Sequence, residues 1–386
     1  MASRVGTALV RRTVIDFRAV DNRIRLERIV PRALPGSDWV KLRVRCAGIC
    51  GTDLHLLSPD SSGSPIFRGW FPPVLELGHE IVGEVVESQI PEAPSGALAV
   101  VDPLLGCLAN GRPPCGSCRA GHPATCEDVD RGPLHGYAIG FADGLGGGWG
   151  DEVVVHASQI HLVPDGLAPD VAVLAEPLAV TLHALRRSAP ADGPVLIVGG
   201  GSVGLLAVAA LRARPRPTPT VIVTRHEHQG RLAAALGAEV VEDSEDSIEE
   251  LAAHAGTSAR GRGSGATLRG GFSTVVEAAG SPSALSLSAR ACAPGGTLHL
   301  LSAVHRTEID LAPVWSRELT LVGSFHYGAQ PHNGTHDLAR ALEILAADAE
   351  EIGRIVSHRV ALDDLCEALT LAADRRGGAT KVVLTT

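Results

Sequence analysis

A glycine-rich turn between a strand and a helix is the feature that most constrains the fold of this chain. The turn, Gly199-Gly200-Gly201-Ser202-Val203-Gly204, follows an apolar run at 195–198 and opens a helix-like run at 204–212. A G-x-G-x-x-G pattern in this context is typical of a dinucleotide site, because glycine permits a tight turn, a close diphosphate and close helix–strand packing. The helix N-terminus adds free N–H groups. The candidate cofactor-binding residues here are Gly199, Gly201, Ser202, Val203 and Gly204; the alternative is a glycine-rich turn without a ligand.

The pattern around this turn predicts an α/β fold with two parts. Strand-like runs at 195–198, 221–223, 240–241, 274–277, 297–301 and 319–323 alternate with helix-like runs, which predicts a doubly wound parallel sheet. Residues 1–160 are instead rich in β-like runs, such as the period-two alternation at 40–45. We expect residues 1–178 and 327–386 to form one domain and 179–326 the other. Residues 257–271, rich in glycine, arginine and serine, predict a solvated loop.

Charge and cysteine content exclude several classes of protein. The net charge is −9, from 34 basic and 43 acidic residues, so the chain lacks the basic surface that nucleic-acid binding requires. Residues 195–211 carry no charge, but their glycines favour a strand, turn and helix over a membrane span. Residues 1–17 lack the long apolar run of a signal peptide. We therefore expect a cytoplasmic protein, with no membrane partner, whose eight cysteines are thiols or metal ligands.

The end of the second strand bears on which dinucleotide binds. NAD sites usually place an acidic residue there, on the ribose 2′-hydroxyl, whereas this chain has Thr224, Arg225 and His226. These side chains suit a 2′-phosphate as donors and counter-charge, which favours NADP over NAD. The alternative is that Arg225 is simply exposed and that NAD binds without the acid.

Two groups of residues have the composition of zinc sites. The first is Cys107-x7-Cys115-x2-Cys118-x7-Cys126, which holds half of the cysteines within 20 residues and suits a closed structural zinc site; the alternative is a loop with free cysteines. The second joins a thiol, an imidazole and carboxylates, which are zinc ligands that leave a position for water or substrate. Its members are Cys50, His79, Glu80 and Glu176.

Several motifs together give the chain a family resemblance. They are G-I-C-G-T-D-L-H at 48–55, G-H-E-x-x-G-x-V at 78–85, the four cysteines, E-P-L-A-V at 176–180, the glycine turn and V-V-E-A-A-G at 275–280. Over nearly its whole length the chain resembles a zinc-dependent alcohol dehydrogenase of the medium-chain dehydrogenase/reductase superfamily. The acid at position 176 is similar to the polyol and threonine dehydrogenase branch, since many simple alcohol dehydrogenases have cysteine there.

The resemblance implies a GroES-like β-rich catalytic domain beside a Rossmann coenzyme domain, two zinc ions per chain and a homodimer or homotetramer. Cys50, His79 and either Glu80 or Glu176 would bind the catalytic zinc. By the same resemblance, Thr52 would take the substrate proton and His55 would pass it to solvent. Asp53 would orient the zinc-bound histidine and pair with Lys381. In one departure from the family pattern, seven residues separate Cys107 from Cys115, where the family has two.

The expected chemistry is reversible hydride transfer between a small-molecule alcohol, of secondary or polyol-like type, and NADP or NAD, giving a ketone or aldehyde. One alternative is a redox-silent zinc enzyme that eliminates or cyclises its substrate. Another is a zinc-stabilised binding protein, which the Thr52–His55 pair disfavours because such a protein needs no proton relay. Six aromatic residues could either line a substrate pocket or pack in the core: Trp70, Phe71, Trp149, Phe325, His326 and Tyr327.

Overall fold

The fold is described from a computed structural model of the chain. The described residues are 14–20, 23–30, 32–57, 74–129, 131, 134–188, 193–302, 308–328 and 334–386, so Trp70 and Phe71 lie outside them. The strands are β1 Val14–Val20, β2 Arg23–Ile29, β3 Trp39–Gly48, β4 Val74–Leu77, β5 Glu80–Glu87, β6 Leu98–Val101, β7 His135–Gly136, β8 Phe141–Asp143, β9 Glu152–His156, β10 Ile160–Leu162, β11 Val195–Val198, β12 Thr220–Thr224, β13 Glu239–Glu242, β14 Ala259–Arg260, β15 Thr267–Leu268, β16 Phe272–Glu277, β17 Cys292–Leu300, β18 Thr320–Gly323, β19 Val356–Ala361 and β20 Lys381–Thr385. The helices are α1 Gly51–Leu57, α2 Gly116–Arg119, α3 Pro169–Ala172, α4 Ala175–Arg187, α5 Ser202–Arg212, α6 Glu227–Ala235, α7 Ser247–His254, α8 Pro282–Ala291, α9 Ala312–Ser316, α10 Asp337–Ala347, α11 Ala349–Gly353 and α12 Leu365–Ala373.

The predicted doubly wound parallel sheet is confirmed. In the described part of the chain it has six strands in the order β13-β12-β11-β16-β17-β18, and every neighbouring pair is parallel. The strand order reverses between β11 and β16, and the glycine turn follows β11 at this point. Ligands of open α/β sheets bind at such a switch point, beyond the carboxyl ends of the strands.

Two mainly antiparallel sheets, built mostly from residues before 163, form the other part, and only the pair β19–β20 among their described strands is parallel. Among the described strands, one sheet has the order β2-β1-β4-β8-β7 and the other the order β10-β6-β5-β3-β20-β19, with β9 also paired to β3. The C-terminal strand β20 pairs with β3, Leu384 opposite Ala47. The chain therefore returns to the sheet of β3 after completing the parallel one.

Helix α4 joins the two parts through a common core. Its residues Leu178 and Ala179 are fully buried in a cluster that includes Val82 of the antiparallel sheet, Ile197 of the parallel sheet and Leu342 of α10. Apolar side chains from both parts of the protein are buried against this one helix. Separating the two parts would expose these side chains to water, which is unfavourable. The cleft between them is set by this packing.

The prediction of a solvated loop over 257–271 is wrong in part. The chain forms a short hairpin there, with Ala259 opposite Leu268. Leu268 and Ala266 are buried, and the guanidinium of Arg317 donates to the carbonyls of Leu268 and Gly270, each at 2.6 Å. The composition indicated a loop because the apolar residues that anchor the hairpin are only two among many small and charged ones.

The uncharged stretch at 195–211 forms β11, the glycine turn and most of α5, as predicted. Within the described residues, no helix is long and apolar enough to cross a membrane.

A buried ion-pair network fixes α4 against α10. Asp337 is 1% exposed, and its carboxylate accepts from Arg186 at 2.8 Å and from the Gly328 amide at 3.1 Å. The ring of His183 lies 3.3 Å from the same carboxylate. Burial alone would raise the pKa of Asp337, but the hydrogen bonds from His183 and Arg186 outweigh it and lower the pKa.

Replacing Asp337 with asparagine should therefore destabilise the protein at neutral pH, because the substitution removes the negative charge that pairs with the half-buried Arg186. We expect a loss of roughly 1–3 kcal/mol in the free energy of unfolding, measured by urea denaturation. Because the folded-state pKa lies below the unfolded value of about 3.9, the carboxylate's contribution is complete above that pH. The difference between Asp337→Asn and the parent should thus shrink as the pH falls below about 4.

The matched control is Glu343→Gln, which removes an exposed carboxylate that pairs with Arg340 on the same helix. This change should alter stability by less than about 0.5 kcal/mol at either pH. If Asp337→Asn lowered the free energy of unfolding by the same amount at every pH, the side chain would act through its shape rather than its charge.

Candidate active site

A cleft of about 1580 Å³ runs between the antiparallel sheets and the parallel sheet. Cys50, His79, Glu80 and Glu176 line one end of it, and the glycine turn lines the other. Apolar side chains such as Leu54, Leu75 and Phe141 form part of its wall. A concave, mostly apolar site with a few convergent polar groups is typical of small-molecule binding. The two predicted sites, far apart in sequence, thus open into one cleft.

A thiol, an imidazole and a carboxylate converge at the inner end of the cleft. One ligand atom from each of Cys50, His79 and Glu80 lies within 4.8 Å of the other two. Cys50 directly precedes α1, His79 directly precedes β5, and Glu80 is the first residue of β5. Gly78 before them has a φ of +89°, and a Cβ there would lie 2.4 Å from Cδ1 of the buried Trp149, so this turn requires glycine.

Asp53 contacts two members of this group and fixes their positions. Its carboxylate is fully buried, accepts the Cys50 amide at 2.8 Å, and lies 3.2 Å from Nδ1 of His79. Burial would lower the pKa of His79, but the Asp53 carboxylate more than compensates and holds it well above the usual value. The contact fixes the orientation of the ring and leaves its Nε2 atom for another partner.

Lys381 pairs with Glu80 rather than with Asp53, which corrects the expectation from the resemblance. The ammonium group and the Glu80 carboxylate form a buried ion pair, and the ammonium also donates to the Ile49 carbonyl at 3.2 Å. Because β20 adjoins β3, Lys381 reaches the carboxylate at the start of β5. The other oxygen of Glu80, Oε1, is buried and has no hydrogen-bond partner among the described residues.

The donor set fits a zinc ion. Sulfur, imidazole nitrogen and carboxylate oxygen are the ligand types of zinc, and three protein ligands leave a position for water or substrate. The orphaned Oε1 of Glu80 is a buried acceptor that a cation would satisfy.

Glu176 stands apart from this group of three. It lies in the first turn of α4, is 5% exposed and lines the same cleft. Burial raises the pKa of its carboxyl to about 8; the nearby imidazole of His79 opposes this rise, and the Glu80 carboxylate adds to it. Its ligand atoms fall outside the 4.8 Å group that Cys50, His79 and Glu80 form.

Thr52 and His55 lie three residues apart on α1, a spacing that places both side chains on one side of a helix. Both line the cleft, and the Thr52 hydroxyl lies 3.7 Å from the Cys50 sulfur. His55 is exposed. The threonine is thus next to the ligand group and the histidine faces water.

The four predicted cysteines converge despite the seven-residue gap. The sulfurs of Cys107, Cys115, Cys118 and Cys126 all lie within 4.8 Å of one another. The Cys115 amide donates to the Cys107 sulfur at 3.3 Å, and the Glu127 amide donates to the Cys115 sulfur at 3.4 Å. Burial raises the pKa of Cys115, but amide hydrogen bonds outweigh it and lower the pKa to about 7. Four thiols with amides directed at the sulfurs fit a structural zinc ion.

The glycine turn leaves room for a ligand. A Cβ on Gly201 would meet nothing within 4 Å, whereas a Cβ on Gly204 would lie 1.9 Å from the Gly199 carbonyl oxygen. The first observation describes open space at the start of α5, and the second describes close helix–strand packing. Gly199, Gly201, Ser202 and Val203 line the cleft. This cradle fits a nucleotide diphosphate at a helix N-terminus.

The three residues at the end of β12 are placed differently. Arg225 and His226 line the cleft, but Thr224 is 4% exposed and does not. The Arg225 guanidinium donates to a carboxylate oxygen of Asp243 through Nε at 3.0 Å and Nη2 at 2.8 Å. Asp243 also lines the cleft, and the sequence analysis did not identify it. Its position directly after β13 was the available signal.

The aromatic candidates are also divided between cleft and core. Phe325 and His326 line the cleft, whereas Trp149 and Tyr327 are fully buried. His326 has a φ of +58°, and its Nε2 lies 3.1 Å from the Asp102 carboxylate. This ion pair was not predicted from the sequence, because Asp102 follows β6 and His326 follows β18, and these two strands belong to different sheets.

Comparisons with known proteins agree with this architecture. Residues 36–165 match the alcohol dehydrogenase GroES-like domain, and residues 202–347 match the zinc-binding dehydrogenase domain. The GroES-like and Rossmann parts expected from the resemblance are confirmed. The D-altritol 5-dehydrogenase of Agrobacterium fabrum is 30% identical over 349 residues, which cover 87% of this chain and 88% of the relative. The L-threonine 3-dehydrogenase of Saccharopolyspora erythraea is 27% identical and covers 92% and 94%.

A solved structure is also similar along nearly the whole chain. It is a protein of Sinorhizobium meliloti 1021, assigned as a zinc-binding dehydrogenase and bound to NADP. The two are 29% identical with a TM-score of 0.76, and the match covers 97% of this chain and 100% of the other.

Proposed function

This chain belongs to the zinc-dependent alcohol dehydrogenases of the medium-chain dehydrogenase/reductase superfamily, in the polyol and threonine dehydrogenase branch, and we propose that it oxidises a secondary hydroxyl of a polyol-like substrate with NADP. The class of enzyme, an NAD(P)-dependent zinc alcohol dehydrogenase, follows from the family. The observation that carries the proposal is the single cleft that joins the Cys50–His79–Glu80 group to the glycine turn. The redox-silent alternative gains no support from the relatives, which are dehydrogenases.

We assign Cys50, His79 and Glu80 as the direct ligands of the catalytic zinc. When bound, zinc supplies a Lewis acid that lowers the pKa of the substrate hydroxyl, and the nicotinamide accepts the hydride. Glu176 faces the same space from α4 and lies beside the three ligands, outside their group. Lys381 offsets the charge of Glu80, and Asp53 orients His79.

Thr52 is the proposed first acceptor of the substrate proton. Its hydroxyl lies beside the ligand group, and a hydroxyl can accept a proton while it donates its own onward. His55, one turn later and exposed, releases the proton to water, a step for which an imidazole is well suited. The apolar wall of the cleft excludes water from the reacting carbon.

The proposed domain division is 1–178 with 327–386 and 179–326. The pairing of β20 with β3, and a six-stranded sheet formed entirely from residues 195–323, support it. A cytoplasmic location and a homodimer or homotetramer complete the proposal. A cluster of four thiols without a disulfide is typical of a reducing compartment, which supports the cytoplasmic location; the oligomeric state rests on the resemblance alone.

The substrate assignment is tested by assaying the zinc-loaded enzyme on open-chain polyols, L-threonine, simple secondary alcohols and primary alcohols. We expect the highest kcat/KM for a polyol, with a ketone product and a matching rise in nicotinamide absorbance. A higher value for a simple primary alcohol would contradict the substrate class. Turnover without any absorbance change would instead indicate the redox-silent enzyme.

Within the same assay, Thr52→Val should lower kcat by roughly 10²- to 10⁴-fold, because it removes the group that takes the proton. Thr52→Ser is the matched control and should keep most of the activity. His55→Ala should be milder than Thr52→Val, because water can replace an exposed relay member. Zinc content measured on each variant separates loss of the relay from loss of metal. Full activity of Thr52→Val would refute the relay.

Elemental analysis should find two zinc ions per chain. Replacing Cys115 and Cys118 together with serine should remove one ion and much of the stability, because structural zinc contributes folding free energy directly. Replacing Cys366, which is exposed, with serine is the control and should keep both ions. One zinc ion in the parent protein would refute the structural site.

Arg225→Ala should weaken the binding of NADP much more than the binding of NAD. A charge-assisted hydrogen bond to phosphate contributes about 1.5–3 kcal/mol, so the KM for NADP should rise roughly 10- to 150-fold. Arg231→Ala is the control, since Arg231 is 65% exposed and pairs with Glu227 on α6. Equal effects on both cofactors would refute the NADP assignment.

A further inference from the structure

Asp243 and Arg225 occupy equivalent places on neighbouring strands. Each directly follows a strand of the parallel sheet, and Thr224 and Glu242, the residues before them, are register partners. The Asp243 amide donates to the Thr224 carbonyl at 2.8 Å, which extends the pairing by one bond. The backbone therefore fixes where both side chains begin, beside the glycine turn.

The ion pair between them uses one edge of the guanidinium. Nε and Nη2 of Arg225 both donate to the same oxygen, Oδ2 of Asp243. An arginine has five N–H donors, so this contact leaves others for a second anion. The two side chains are 60% and 32% exposed, and an ion pair with this exposure contributes little to stability. Its position in the cleft makes it more important for binding than for folding.

We propose that Asp243 is a specificity-determining residue that limits the preference of this enzyme for NADP. A 2′-phosphate bound by Arg225 would share its guanidinium with the Asp243 carboxylate and be repelled by that carboxylate. Asp243 therefore weakens the binding of the phosphorylated nucleotide. A ribose hydroxyl is uncharged, so a nucleotide without the 2′-phosphate meets no such repulsion. The inference rests on the proposed role of Arg225 and adds a second residue that opposes it.

Calorimetric binding of two nucleotide fragments tests this without turnover. Adenosine 2′,5′-bisphosphate and adenosine 5′-monophosphate differ only in the 2′-phosphate. In Asp243→Asn the shape is kept and the charge removed, so the bisphosphate should bind about 10-fold more tightly at low salt, and the monophosphate should change less than about 2-fold. The gain should shrink at high salt, because the repulsion is partly exposed to solvent.

Glu242→Gln is the matched control. It removes a carboxylate from the adjacent residue, which is exposed and does not line the cleft, so neither fragment should change by more than about 2-fold. The gain should also depend on Arg225, and in an Arg225→Ala background Asp243→Asn should tighten the bisphosphate by no more than about 2-fold.

The outcomes separate the two proposals. If Arg225→Ala weakens binding of the bisphosphate but Asp243→Asn leaves that binding unchanged or weakens it, the role of Asp243 is overturned and the NADP assignment stands. If Arg225→Ala has no effect on the bisphosphate, the NADP assignment is overturned as well. If the bisphosphate binds neither the parent protein nor Asp243→Asn, both proposals are overturned. Tighter binding in Asp243→Asn alone, lost without Arg225, supports the inference.

Discussion

The burial of α4 between the antiparallel and parallel sheets is the constraint on which the rest of the structure depends. Nine of its 13 residues are buried, including Glu176 in its first turn. Because the helix has apolar contacts on several sides, it can pack in only one position. That position sets the width of the cleft. The Asp337 network then fixes the direction of the helix, because a buried carboxylate requires its partners in place. Packing thus sets the separation, and charge sets the orientation.

Charge burial at the inner end of the cleft follows from this closed geometry. Glu80, Asp53 and Lys381 are each 2% exposed or less. A buried carboxylate is costly without a partner, and each of the two has one: a lysine in one case, and an imidazole with a backbone amide in the other. The pairing leaves Oε1 of Glu80 without a hydrogen-bond partner among the described residues. A divalent ion at this point would complete the compensation, which is why the donor set fits zinc.

Local motifs could be predicted from the sequence, and contacts between distant segments could not. The glycine turn, β11 and the four-cysteine cluster depend on residues close together in the chain, so their spacing carried the information. The seven-residue gap did not prevent convergence of the cysteines, because the chain between Cys107 and Cys115 folds back through a turn. Lys381 was assigned the wrong partner, because the choice between Asp53 and Glu80 depends on which strands β20 adjoins. Asp243 was not identified from the sequence because its contact with Arg225 depends on the register of β12 and β13.

The return of the chain to the sheet of β3 has a consequence for biosynthesis. Glu80 emerges from the ribosome early, but its counter-charge, Lys381, lies beyond the entire parallel sheet. Until β20 is made, a nascent β-rich part has a carboxylate at its centre without the ammonium that allows it to be buried. The ion pair at the inner end of the cleft therefore forms only after the whole parallel sheet, residues 195–323, has been synthesised.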